Sequence, residues 1–143
     1  MFISLRIVLG VAAAALLMLL SQVVCFADYG PRADVRRARS AEIGAWNSYC
    51  RCKTRVEVPD VTVVGSYALA SWESSESNGQ SLLRLDHGHW HRIGHGGGGM
   101  NTADLVDYGA PCSVAKRLVE HNHESEKVER MLQTHHRCSG KRS

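Results

Sequence analysis

Few folds accommodate the stretch Leu82 to Ile93, LLRLDHGHWHRI. His87-Gly88 lies between two alternating runs and reads as the two-residue loop of a β-hairpin. Asp86 then pairs with His89, Leu85 with Trp90, Arg84 with His91 and Leu83 with Arg92. Side chains alternate across a strand and opposed residues share a face. Leu83, Leu85 and Trp90 therefore make a core side, while Asp86, His89, Arg84 and His91 make a polar side. Three of the chain's eight histidines sit at or beside this turn.

The flanking segments complete a domain. Asp34 to Tyr49 has apolar residues at Val35, Ala38, Ala41, Ile43, Ala45 and Trp46 behind Pro31, the pattern of an amphipathic helix. Val56 and Val58 alternate with Arg55 and Glu57, and Val61 to Val64 follows a break at Pro59-Asp60. Ser66 to Trp72 is rich in strand formers, and the polar stretch Glu73 to Gly79 reads as a turn. Ser81 to Asp86 and His89 to Ile93 then finish an antiparallel meander. Gly96 to Gly99 lacks the lysine and spacing of a phosphate-binding loop and reads as a flexible crossover to helices. Asn101 or Thr102 caps the first of these, Ala110-Pro111 opens a second with a buried stripe of Val114, Ala115, Leu118 and Val119, and Val128, Met131 and Leu132 suggest a third. The expected fold is α+β: an N-terminal helix, a small antiparallel meander sheet, and two or three C-terminal helices packed on one face. Trp72, Leu83, Leu85, Trp90, Leu105 and Leu118 are the expected core, with the polar sheet face left open.

At the N-terminus, Arg6, the apolar run Ile7 to Leu20 and the small-x-small pattern Cys25-Phe26-Ala27 form a signal peptide over residues 1–27. Ser21-Gln22 interrupts the run before the length of about 20 residues that a membrane span needs. The expectation is a periplasmic or secreted bacterial protein with no membrane span after cleavage, a single domain over 28–136, and a basic tail over 137–143. The chain carries 17 basic and 14 acidic residues, a formal charge of +3, and cleavage removes one basic residue, Arg6, and no acidic one. That balance excludes the electrostatic footprint of a nucleic-acid binder, and Arg32, Arg36, Arg37 and Arg39 read as a solvated helix face. Cys50, Cys52, Cys112 and Cys138 remain after cleavage and are disulfide candidates, with the pairing open. Cys50 and Cys52 are one residue apart, so a bond between them strains the backbone more than bonds to distant partners.

A series of residues in the middle of the chain is distinctive: Tyr67-Ala68-Leu69-Ala70-Ser71-Trp72, Gly79-Gln80-Ser81-Leu82-Leu83-Arg84, Gly88-His89-Trp90, the glycine run, Leu105, Gly109-Ala110-Pro111, and Ala115 to Leu118. Over roughly residues 55 to 120 this order resembles the copper uptake system-associated proteins, small exported bacterial proteins with an alanine-tryptophan strand, a glycine followed by Ala-Leu-Leu-Arg, a Gly-x-Trp strand and a Leu…Gly-x-Pro helix start. The resemblance implies a shared fold and an association with copper-handling envelope proteins. It carries over no catalytic residue, because the shared positions are structural types.

The metal chemistry rests on the residues of this chain. Imidazole ligates copper, zinc and nickel, and residues i and i+2 on a strand project from one face about 7 Å apart. His89 and His91 meet that condition. Asp86 opposite His89 offers a third ligand or an acceptor that orients an imidazole. His95 lies just beyond the strand and can fold back, and Met100 offers a soft sulfur suited to cuprous ion. His87 is accounted for as a turn residue that tolerates left-handed geometry; His121, His123, His135 and His136 read as helix-end or tail residues. Two other classes stand beside a copper-linked accessory protein. One is a protein-binding or inhibitor module acting through the exposed sheet. The other, a small hydrolase-like enzyme, would use Ser81 or Cys112 as nucleophile near Asp86 and His89, but neither is set in a recognisable elbow or triad. A non-enzymatic role is therefore expected.

Overall fold

The computed structural model describes residues 28–49 and 55–132. The expected signal peptide, Cys50, Cys52, Cys138, His135, His136 and the basic tail lie outside the described residues. Helix α1 spans Arg32–Tyr49, strands β1 to β4 span Glu57–Val64, Tyr67–Glu73, Asn78–Asp86 and His89–Gly97, and helices α2 to α4 span Thr102–Asp107, Cys112–Glu120 and His123–Leu132. The four strands form an antiparallel meander in the order β1-β2-β3-β4. This is the expected α+β architecture. Among the described residues no helix is long and apolar enough to cross a membrane.

Local chemistry accounts for most of the elements. The Pro31 carbonyl accepts from the Asp34 and Val35 amides to open α1, and Val35, Ala38, Glu42 and Trp46 recur at three- and four-residue steps as its buried stripe. The β3–β4 turn has His87 at φ 47° and Gly88 at φ 82°, the paired positive values that a tight hairpin with right-handed strand twist requires. Asn101 caps α2 in a capping box closed by Asp104, which satisfies amides that a helix start leaves open.

Burial departs from expectation in one consequential way. Instead of one core there are two, one on each face of the sheet. Val35, Ala38 and Trp46 of α1 pack on Val61, Val63, Ala68, Ala70, Trp72, Leu83 and Trp90. On the opposite face, Leu105, Ala115, Leu118 and Val119 pack with Val64, Leu69 and Leu82. Leu105 and Leu118 are thus separated by the sheet from Trp72, Leu83 and Trp90, and the face expected to stay open is covered except near the hairpin tip. Adjacent apolar residues such as Leu82 and Leu83 point to opposite faces, so the central strands need cover on both.

Two irregularities also differ from the simple alternating reading. Pro59-Asp60 does not break the first strand. It lies within β1, an edge strand, where the register shifts between Glu57 and Asp60 and a missing amide is tolerated. At the other edge β4 runs on to Gly97, so half of the glycine run belongs to the sheet. Gly94 shows why a side chain is excluded nearby: a β-carbon there would lie 2.3 Å from the Tyr108 ring.

Candidate functional site

The hairpin tip has the expected register, with Asp86 opposite His89, Leu85 opposite Trp90, Arg84 opposite His91 and Leu83 opposite Arg92. The His89 and His91 rings are 6.4 Å apart between centroids, with their planes at 57°. Both residues are exposed, as are Asp86 and His87. Asp86 lies 3.7 Å from the Nε2 of His87 at the turn.

The structure does not bring His95 or Met100 to this pair. Leu82 pairs with Gly94 while Leu83 pairs with Arg92, so Ile93 is an extra residue in β4. A bulge of this kind reverses the facing of everything beyond it. His95 consequently points toward α1, its ring 5.9 Å from that of Trp46 and 6.5 Å from that of Tyr49. Met100 is 3% exposed and belongs to the core on the C-terminal-helix side. Among the described residues no cluster of three or more histidine, cysteine or acidic side chains is arranged to hold a metal ion, so the tip contributes two imidazoles rather than a five-residue set.

Other expected chemistry is also dispersed. Ser81 is fully buried and donates to Glu42 Oε1 at 2.7 Å, on the α1 side of the sheet and away from His89. Glu42 is itself fully buried, receives Arg92 Nε at 3.0 Å on Oε2 and Nη2 at 3.0 Å on Oε1, and Arg92 lies 4.5 Å above the Trp46 ring. With both oxygens satisfied and the guanidinium packed on an indole, this cluster is a clamp between α1 and β4. Cys112 begins α3 and is half-buried. His121 stacks on Tyr29 with centroids 3.7 Å apart, and His123 starts α4.

Sequence reasoning missed a polar cleft at the opposite end of the sheet from the hairpin tip. Asp60 is 5% exposed, and its Oδ2 accepts from Asn122 Nδ2 at 2.7 Å. Gln80 Nε2 donates to Asn122 Oδ1 at 2.6 Å and to Ser71 Oγ at 3.2 Å. Gln80 Oε1 accepts from Ser125 Oγ at 2.7 Å and from the Met100 amide at 2.6 Å. Asn122 Oδ1 also accepts from the Ser125 amide at 3.1 Å, which caps α4. Asp60 Oδ1 is buried and has no hydrogen-bond partner among the described residues. Burial raises the Asp60 pKa to about 6, reinforced by the Asp28 carboxylate and opposed by Arg39, His123 and the Val61 amide. A cavity of about 170 Å³ opens here between Pro59, Asp60, Glu73, Gln80, His123 and Glu124. The available sequence signal was modest: Ser71 and Gln80 are polar at strand positions that share a buried face with Leu69 and Leu82.

Comparisons with protein-family models, with curated proteins and with solved structures found no match.

Proposed function

We propose that the protein is an exported, non-enzymatic accessory protein that takes copper at the hairpin tip on behalf of copper-handling proteins of the bacterial envelope. The observation that supports this reading is the 6.4 Å separation of the exposed His89 and His91 rings. With metal–nitrogen distances of about 2 Å, two imidazoles opposed across an ion in a near-linear arrangement set their ring centres roughly 6 Å apart. The pair accommodates an ion with little movement of its strand, and imidazole suits copper. Two protein ligands leave coordination positions open, which favours transfer to a partner over permanent storage. The turn geometry at His87-Gly88 fixes the backbone that carries both rings.

The test is isothermal titration of the purified protein with copper and zinc. His89→Ala is expected to weaken copper binding by at least tenfold, His136→Ala to leave it unchanged, and the His89→Ala/His91→Ala double variant to abolish it. Equal losses at positions 89 and 136 would mean diffuse histidine binding. Undiminished affinity in the double variant would leave a protein-binding or inhibitor module as the better reading. For that module, the groove between α1 and the tip, lined by Arg36, Arg37, Ser40 and His89, offers a basic surface.

A further inference from the structure

We propose that the cleft beside Asp60 binds a small organic cation through an N–H group, a primary ammonium or a guanidinium, that donates to Asp60 Oδ1. The site lies at the opposite end of the sheet from the hairpin tip and does not depend on the copper reading.

Local donors other than the His123 imidazole are already committed, and that ring makes no hydrogen bond to Asp60 Oδ1. Asn122 Nδ2 goes to Asp60 Oδ2, Gln80 Nε2 goes to Asn122 and Ser71, and Ser125 Oγ goes to Gln80. Arg39, the cation on the α1 side, is bound to Asp28 Oδ1 and to the Val58 and Pro59 carbonyls. A buried carboxylate oxygen left without a donor is an unusual and costly arrangement, and it is found beside a cavity. With the His123 ring where it stands, the donor that completes it comes from outside the described side chains.

Size and charge indicate what that donor is. The cavity measures about 170 Å³, whereas a single water needs only about 10–15 Å³ on the same measure. Its walls carry the carboxylates of Asp60, Glu73 and Glu124 against the single imidazole of His123. That surplus of negative charge repels an anion and favours a cation. Asp60 Oδ1 is recessed, with almost no surface open to water, so an N–H donor reaches it only as the cleft wall gives way. A fully substituted nitrogen offers it no hydrogen at all. The polar network behind it ties β1, β3 and α4 together and keeps the carboxylate in place without consuming this oxygen.

The experiment is a titration of the ¹⁵N-labelled protein with butylammonium, guanidinium and tetramethylammonium at pH 7.5, followed through the side-chain amides of Asn122 and Gln80 and the amide of Gly99. Butylammonium and guanidinium are expected to give saturable shifts at these three groups, and tetramethylammonium, which has no N–H, to give none. Asp60→Asn is expected to weaken butylammonium binding at least tenfold. Should that variant fail to fold, wild type at pH 5 serves instead. Protonation of Asp60 against the surrounding Asp28, Glu73, Glu124, Arg39 and His123 charges is then expected to weaken binding about tenfold. Absence of saturable shifts, equal response to tetramethylammonium, or binding unaffected by both Asp60→Asn and acid would overturn the proposal and leave the cleft as a water-filled recess.

Discussion

Asn122 Nδ2 donates to Asp60 Oδ2 at 2.7 Å, joining the junction of α3 and α4 to the edge strand β1 across 62 residues of sequence. The same side chain accepts from Gln80 and from the Ser125 amide, so one residue holds three segments of the chain. Its burial is complete.

Replacing that side chain tests the network directly. Asn122→Ala leaves Asp60 Oδ2 and one of the two Gln80 Nε2 hydrogens without a partner, the other staying on Ser71, and uncaps α4. Each buried group left unmatched costs about 1–3 kcal/mol. The expected loss is about 3 kcal/mol in urea unfolding, with a lowered midpoint and little change in slope. A loss below about 1 kcal/mol would mean that water substitutes for the amide.

Asp60 makes stability depend on pH in an unusual direction. An unfolded aspartate titrates near about 3.9, and in the folded protein the value is raised to about 6. Between those values the native state holds a proton that the unfolded chain has released, so this contribution is fully present below about pH 4 and is lost as pH rises through about 6. After allowance for water reaching the cleft, about 1–2 kcal/mol is at stake. Asp60→Asn keeps an oxygen for Asn122 and removes the charge. It is expected to raise stability at pH 7.5 by that amount and to flatten the decline between pH 4 and 6. Identical pH profiles for the two proteins would exclude Asp60 as the source.

Gly94 is tested by a single methyl group. Gly94→Ala places a β-carbon where the Tyr108 ring lies, and Tyr108 is itself held by its hydroxyl on the His95 carbonyl at 3.0 Å. The expected cost is about 1–3 kcal/mol in thermal unfolding. Tyr108→Ala in the same chain should recover part of it, and strict additivity of the two changes would refute the steric account.

The cysteines give a redox prediction. Cys50, Cys52, Cys112 and Cys138 are expected to be paired in the exported protein, and closing such loops contributes about 2–4 kcal/mol. Reduction should lower the melting temperature, and peptide mass mapping should return the pairing. Four reactive thiols in native, aerobically exported protein would contradict it.

The β3–β4 hairpin was legible in the sequence because its determinants are local. His87-Gly88 supplies the turn, and the alternation of Leu83, Leu85 and Trp90 against Arg84, His89 and His91 sets the register. The capped start of α2 at Asn101 and the stripe on α3 were legible for the same reason. Tertiary structure decided the rest. One extra residue at Ile93 turned His95 toward Trp46, a consequence of strand pairing that no periodicity within β4 announces. Leu82 and Leu83 required cover on two faces, and only the path of the chain assigned α1 to one and α2 and α3 to the other. The Asp60 cleft draws on Ser71, Gln80, Asn122 and Ser125, each unremarkable in its own segment. Those residues became a site because packing removed water from them together, and buried polar groups then had only one another to bond.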